Sequence, residues 1–262
     1  MAELEALIFD VDGTLADTER DGHRPAFNAA FADVGLDWVW SVDLYGELLR
    51  VTGGKERIHE YLRVQRPDFV LAGSLDEFVR DLHRRKTEHY VRMMQSGGIP
   101  LRSGVLRLLR EARAAGVRLA VATTTTPENV AALLASAPEP DLTEWFEVVA
   151  AGDVVPNKKP APDIFELALR ELDLPPSSCV AIEDSDNGVR SALGAGLKAL
   201  LVTVSSYTEG QDFSTAPLVV DQLGEPHLPA TAAVGDLSGR VCVDLELLRV
   251  LHRQVFEART DG

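Results

Sequence analysis

The stretch that decides the fold is LEALIFDVDGT, residues 4–14. Leu4–Phe9 is a short apolar run that stops at Asp10, and a run of that length reads as a buried strand. Two carboxylates one residue apart, Asp10 and Asp12, follow it, and Gly13 lets the chain turn so that both can face one crevice. Carboxylates held that close repel, so the pattern asks for a cation or a shared proton between them. Similar strand-like runs recur down the chain. Val117–Ala122 ends in four threonines, Thr123 to Thr126. Val148–Ala151 runs into Gly152-Asp153, Cys179–Ile182 into Glu183-Asp184, and Ala199–Val204 follows Gly194 and Gly196. Helical segments lie between them. One runs from a capping Ser103 to Gly116, another starts at Pro127 behind a Thr126 cap, and a third runs from near Pro162 through Leu172. This alternation predicts an α/β fold, a Rossmann-like parallel sheet covered by helices on both faces.

Residues 18–98 break the pattern. They read as helices with polar separators, so they are expected to form an inserted helical domain, with residues 1–17 and 99–262 as the core. Residues 205–262, rich in Pro, Gly and acid with one apolar helix near Leu245–Phe256, read as a peripheral extension. The chain carries 26 Lys+Arg against 41 Asp+Glu, a net charge of −15, and such a surface repels polyanions. Nucleic acid and an anionic membrane are therefore excluded as main partners. The insert holds 12 basic and 13 acidic residues, which leaves 14 and 28 elsewhere, so the acid lies outside it. With 45% hydrophobic and 26% charged residues the chain is globular. Cys179 and Cys242 make no disulfide framework, and a reducing compartment fits. A cytoplasmic location is expected, or a plastid stroma if a transit peptide has been removed, and a monomer is expected.

Three strand ends deliver chemistry where open parallel sheets bind ligands. Asp10 and Asp12 follow the first strand and Glu183-Asp184 the fourth. Oxygen donors without His or Cys suit Mg²⁺. Thr123, with Thr124 and Thr125 behind it, lies at the start of the Pro127 helix, where hydroxyls and free N–H groups make an anion site. Lys158-Lys159 is the one pair of adjacent lysines in an acidic chain.

These pieces, in this order and at these strand ends, resemble the motifs of the haloacid dehalogenase-like phosphotransferases over residues 4–205. The insert resembles the helical cap of that superfamily's first cap class. Asp17-Thr18-Glu19, His23, Thr52-Gly53-Gly54-Lys55-Glu56-Arg57, Lys86-Thr87 and Lys158-Lys159-Pro160 are similar to the CbbY-type branch. That resemblance implies a phosphatase of xylulose-1,5-bisphosphate, a compound that inhibits Rubisco. It implies Asp10 as nucleophile, Asp12 as acid and base, and Thr123, the Thr124 amide and Lys159 around the transferred phosphoryl group. It further implies Mg²⁺ on Asp10, the Asp12 carbonyl and Asp184 with Glu183 in support. The second phosphate would meet Lys55, Arg57, Lys86, Thr125 and Thr126, and the sugar His23 and Asp17. Related activities on the same motifs are a β-phosphoglucomutase-like isomerase, a phosphoglycolate phosphatase and a non-catalytic phosphometabolite sensor. His59, His83 and His89 read as surface or packing, as do Trp38, Trp40 and Trp145, and Cys179 as an inert core residue.

Overall fold

The computed structural model describes residues 3–257. Its strands are β1 (Ala6–Phe9), β2 (Arg118–Thr123), β3 (Phe146–Ala151), β4 (Cys179–Glu183), β5 (Leu200–Thr203), β6 (Leu218–Val220) and β7 (Ala232–Val234). They form one sheet in the order β3-β2-β1-β4-β5-β6-β7. All neighbours are parallel except the β6–β7 pair. Every residue of β1 is buried. Leu7 and Phe9 join one apolar cluster while Ala6 and Ile8 join another, so the alternation of a strand serves two covered faces.

The helical insert between β1 and β2 starts with a π-helical turn, Glu19–His23, that runs directly into α1 (Arg24–Asp33). It continues through α2 (Val42–Leu48), α3 (Gly54–Gln65) and α4 (Leu75–Gln95). Its own core is aromatic, with Phe27, Phe31, Trp38, Trp40, Tyr45 and Tyr61 packed together. The chain returns to the sheet beside its point of departure, where Ala16 bridges Leu101 and the Arg102 N–H donates to the Leu15 carbonyl at 2.8 Å.

The remaining helices are α5 (Val105–Ala114), α6 (Pro127–Ser136), α7 (Asp163–Leu172), α8 (Asp186–Gly194) and α9 (Leu245–Glu257). Helices α5, α6 and α9 cover one face of the sheet, and α7 and α8 cover the other. Two expectations need correction. Helix α5 starts behind Gly104, not from a Ser103 cap, and the Ser103 hydroxyl is buried without a partner. Gly104 lies against Leu223 and Gly224, and that contact sets the turn. Nor are the residues after Ser205 peripheral. β6 and β7 extend the sheet, and Leu218, Val220, Val243, Leu245, Leu248 and Leu251 share the cluster of Leu7 and Phe9. The extension covers sheet that would otherwise end at β5 as an open edge. Among the described residues no helix is long and apolar enough to cross a membrane.

Candidate active site

A cleft of about 670 Å³ opens over the C-terminal ends of β1, β2 and β4. Asp10 continues β1 at its floor and is 7% exposed. The Lys159 ammonium lies 2.7 Å from Asp10 Oδ1 and 2.5 Å from Glu183 Oε1, and it donates to the Ala122 carbonyl at 2.9 Å. Asp10, Glu183 and Asp184 each bring one carboxylate oxygen within 4.8 Å of the others. Gly13 makes this approach feasible. Its φ is +90°, and a Cβ there would collide with the Asp184 carboxylate. Burial raises the Asp10 carboxyl to about 7, with Glu183 and Asp12 pushing the same way and Lys159 opposing. Burial, with Glu183 and Asp10 beside it, also raises Asp184, against a 2.8 Å hydrogen bond from Ser205. Two of these three buried carboxylates share the Lys159 ammonium and Asp184 has none of its own among the described residues, and a dry pocket with surplus negative charge and oxygen donors fits a hard divalent cation.

Asp12 faces the insert. It accepts from the Thr18 hydroxyl at 2.5 Å and from His23 Nε2 at 2.8 Å. Lys86 donates to His23 Nδ1 at 2.7 Å. An ammonium cannot accept, so Nδ1 is the acceptor and the ring proton sits on Nε2, aimed at Asp12. Tyr90 stacks on the imidazole with ring centroids 4.4 Å apart. Burial works to raise Asp12, but the hydrogen bonds from His23 and Thr18, with the positive charge of Lys86 behind the imidazole, outweigh it and hold this carboxyl well below the usual range. Burial lowers Lys86 to about 8.

The third wall is the threonine loop. Thr123 Oγ1 accepts from the Thr125 N–H at 3.3 Å, and Thr126 Oγ1 caps α6 by accepting from the Asn129 N–H at 3.4 Å. Asn129 Nδ2 donates to Thr125 Oγ1 at 3.1 Å. The loop therefore presents its amides at the positive end of a helix. Opposite stands the buried guanidinium of Arg57. It donates to the Tyr45 hydroxyl at 2.7 Å and lies 3.8 Å from Glu19, to which Tyr45 donates at 2.5 Å.

Most of the residues singled out in the sequence converge. Asp10, Asp12, Thr123, Thr124, Lys159, Asp184 and Arg57 line the main cleft. His23, Lys86, Thr125 and Thr126 line an adjoining pocket shared with Arg57, Thr124 and Asp12. Glu183 sits behind the floor, wholly buried, where it accepts from Lys159 and the Asp184 N–H. Two residues do not converge. Asp17 lines neither pocket, and its neighbour Thr18 reaches Asp12 instead. Lys55 pairs with Asp153 and borders a separate pocket between α3 and α4. Positions two apart on a helix lie about 200° around its axis, so Lys55 and Arg57 cannot face the same cleft. Glu19 belongs to a quoted motif but carries no role in the sequence reading, and Tyr45, Asn129 and Ser205 are absent from it. Glu19 adjoins the first motif, but Tyr45, Asn129 and Ser205 carry no local signal.

Known proteins are similar to this chain in sequence and fold. The family model of haloacid dehalogenase-like hydrolases matches residues 4–196. The chain is a haloacid dehalogenase-like hydrolase. Among relatives of this hydrolase, Protein CbbY of Cereibacter sphaeroides is 50% identical over 222 residues, covering 85% of this chain and 94% of that protein. The phosphorylated carbohydrates phosphatase of Thermotoga maritima is 31% identical over 210 residues, 79% of this chain and 89% of that one. A crystal structure of a CbbY mutant from Rhodobacter sphaeroides in complex with xylulose-(1,5)bisphosphate superposes with a TM-score of 0.77. It shares 50% identity and covers 84% of this hydrolase and 94% of that chain.

Proposed function

We propose that this hydrolase is a Mg²⁺-dependent phosphatase of a sugar bisphosphate, cleaving xylulose-1,5-bisphosphate to xylulose 5-phosphate and phosphate. The observation that carries the reading is the placement of Asp10. It lies at the floor of a cleft against Lys159, with a second carboxylate, Asp12, held over it from the insert. The xylulose-(1,5)bisphosphate complex of a half-identical relative supports the choice of substrate.

In the first step a carboxylate oxygen of Asp10 attacks phosphorus and the bond to the sugar oxygen breaks. Asp12 gives its proton to that oxygen, leaving an aspartyl-phosphate. In the second step Asp12, now a carboxylate, takes a proton from water as the water attacks phosphorus, and Asp10 is regenerated. The hydrogen bonds from Thr18 and His23 favour the carboxylate needed for the second step. A phosphoryl dianion beside Asp12 acts in the opposite direction and favours the protonated form needed for the first. Lys159, Thr123 and the Thr124 amide hold phosphoryl oxygens. Arg57, with Thr125 and Thr126 across from it, receives the second phosphate. Lys86 orients His23. Asp10 and Asp184, with the Asp12 carbonyl and Glu183 in support, would hold Mg²⁺, which supplies neutralisation between an anionic nucleophile and an anionic substrate. Closing the insert over the core excludes water and brings Asp12's partners into place.

Phosphorus-31 NMR on a panel of xylulose-1,5-bisphosphate, ribulose-1,5-bisphosphate, glucose phosphates and phosphoglycolate tests the reading. Free phosphate should accumulate fastest from xylulose-1,5-bisphosphate. Isomerised sugar phosphate without release, or faster hydrolysis of another member, would overturn it.

A further inference from the structure

The aromatic cluster of the insert is built from residues between Phe27 and Leu82, with one outsider. That outsider is Tyr207, in the loop between β5 and β6 of the sheet. Its ring meets Tyr45 edge to face, with centroids 5.9 Å apart and planes at 62°. It also lies flat against Gly46 of α2, where a Cβ would come within 3.1 Å of it. The Tyr207 hydroxyl is buried and has no hydrogen-bond partner, so the contact is made by the ring. The loop is anchored at its other end. Ser205 donates to Asp184 at 2.8 Å, and the Ser205 N–H donates to Thr208 Oγ1 at 2.8 Å. A short segment of core therefore grips the acidic floor with one residue and the insert with another, two positions on.

Charged pairs also cross this boundary, among them Lys55–Asp153 and Lys158–Glu56. Asp153 and Glu56 are about half exposed, and such rim pairs hold little in water. The aromatic seat is a stronger tie than these rim pairs, and it acts beside Ala26, Tyr90 and Met94, which pack into the core cluster. We propose that Tyr207 is a positioning residue for this reaction. Its ring, seated in the aromatic cluster, fixes the closed position of the insert and thereby the place where Tyr45 and Glu19 hold Arg57. The proposal rests on the phosphatase reading only for its kinetic consequence. If binding needs the closed form, loosening the seat lowers the competent fraction and weakens apparent affinity in proportion.

The test uses the full chain with Cys242→Ser and spin labels at Val64→Cys on the insert and Val154→Cys on the core, both exposed. In this background Tyr207→Ala should broaden the label-to-label distances toward longer values. With xylulose-1,5-bisphosphate it should raise KM roughly three- to tenfold, the range expected for loss of one aromatic pair, and change kcat less. Tyr207→Phe should restore most of what Tyr207→Ala loses. Gly46→Ala should raise KM when Tyr207 is present and add nothing to Tyr207→Ala. Unchanged distances and KM in Tyr207→Ala would overturn the proposal, as would a Tyr207→Phe variant as impaired as the alanine one. The distance measurement needs no turnover, so a chain that hydrolysed none of these esters would sink the phosphatase reading and still test the seat.

Discussion

Asp10 and Lys159 illustrate how burial is put to use. Even with Lys159 opposing, burial raises the Asp10 carboxyl to about 7, and a protonated carboxyl is no nucleophile. Replacing Asp10 with Asn should abolish phosphate release and leave the fold intact. The amide cannot attack phosphorus, and it removes a carboxylate that the pocket disfavours. Phosphate assay and circular dichroism melts check this, and residual turnover above background would remove Asp10 from the attacking role. Arg57 separates two classes of substrate. Arg57→Ala should raise KM for bisphosphates about tenfold or more, as expected when a buried charged hydrogen bond is lost, and affect monophosphates less. Equal effects on both would take Arg57 out of the second phosphate site. Asp10, Asp12, Thr123 and Asp184 are legible because unusual residue types stand at or just after the ends of apolar runs, and Lys159 because it belongs to the one pair of adjacent lysines in an acidic chain. Tyr45 and Ser205 are not, since a tyrosine in a helix and a serine in a loop look the same whether or not they support a catalytic group.

At the scale of elements, strands predicted their own endings better than helices predicted their facing. A strand end must project into the crevice, so Asp10, Thr123 and Glu183 were placed by position alone. On α3 the phase around the axis decides: Lys55, expected with Arg57 at the second phosphate, pairs with Asp153 and borders a different pocket. The C-terminal segment was misjudged for a related reason. Its short strands β6 and β7 have three residues each, too few to show a period; β6 is specified by pairing with β5, β7 by pairing with β6, and both by packing. Helix α6 offers a clean test of an element's contribution. Thr126→Ala removes the cap on Asn129 and should cost about 1 kcal/mol in urea unfolding. It should also raise KM, because the amides of the threonine loop are oriented by the same helix end. Unchanged stability would mean that the Pro127 start suffices.

The whole molecule couples its acidic floor to pH. In the ion-free protein the raised Asp10 carboxyl holds a proton that the unfolded chain has released by about pH 4. Stability from that proton is full below the unfolded value and is lost as pH rises through about 7. A bound cation takes over the proton's role. The rise in Tm on replacing chelator with Mg²⁺ should therefore be small at pH 5 and larger at pH 8, as read by thermal melts. Equal increments at the two values would show that the floor does not bind the ion. Removing residues after Thr203 should give insoluble or unfolded protein, because it strips the sheet face of Leu218, Val220, Val243 and the α9 leucines. A soluble, cooperatively melting truncation would show the extension to be dispensable. The insertion between β1 and β2 also imposes an order on synthesis. The strand that leads into Asp10 leaves the ribosome before the rest of its sheet, and its partners begin only at residues 118 and 179. The aromatic members of the insert up to Phe78 are complete long before then. Cotranslational assembly thus builds the lid before its seat, and the nascent chain cannot gather Asp10, Lys159 and Asp184 into one pocket until the fourth strand has emerged. A partly made polypeptide exposes no working hydrolase to the phosphate esters around it.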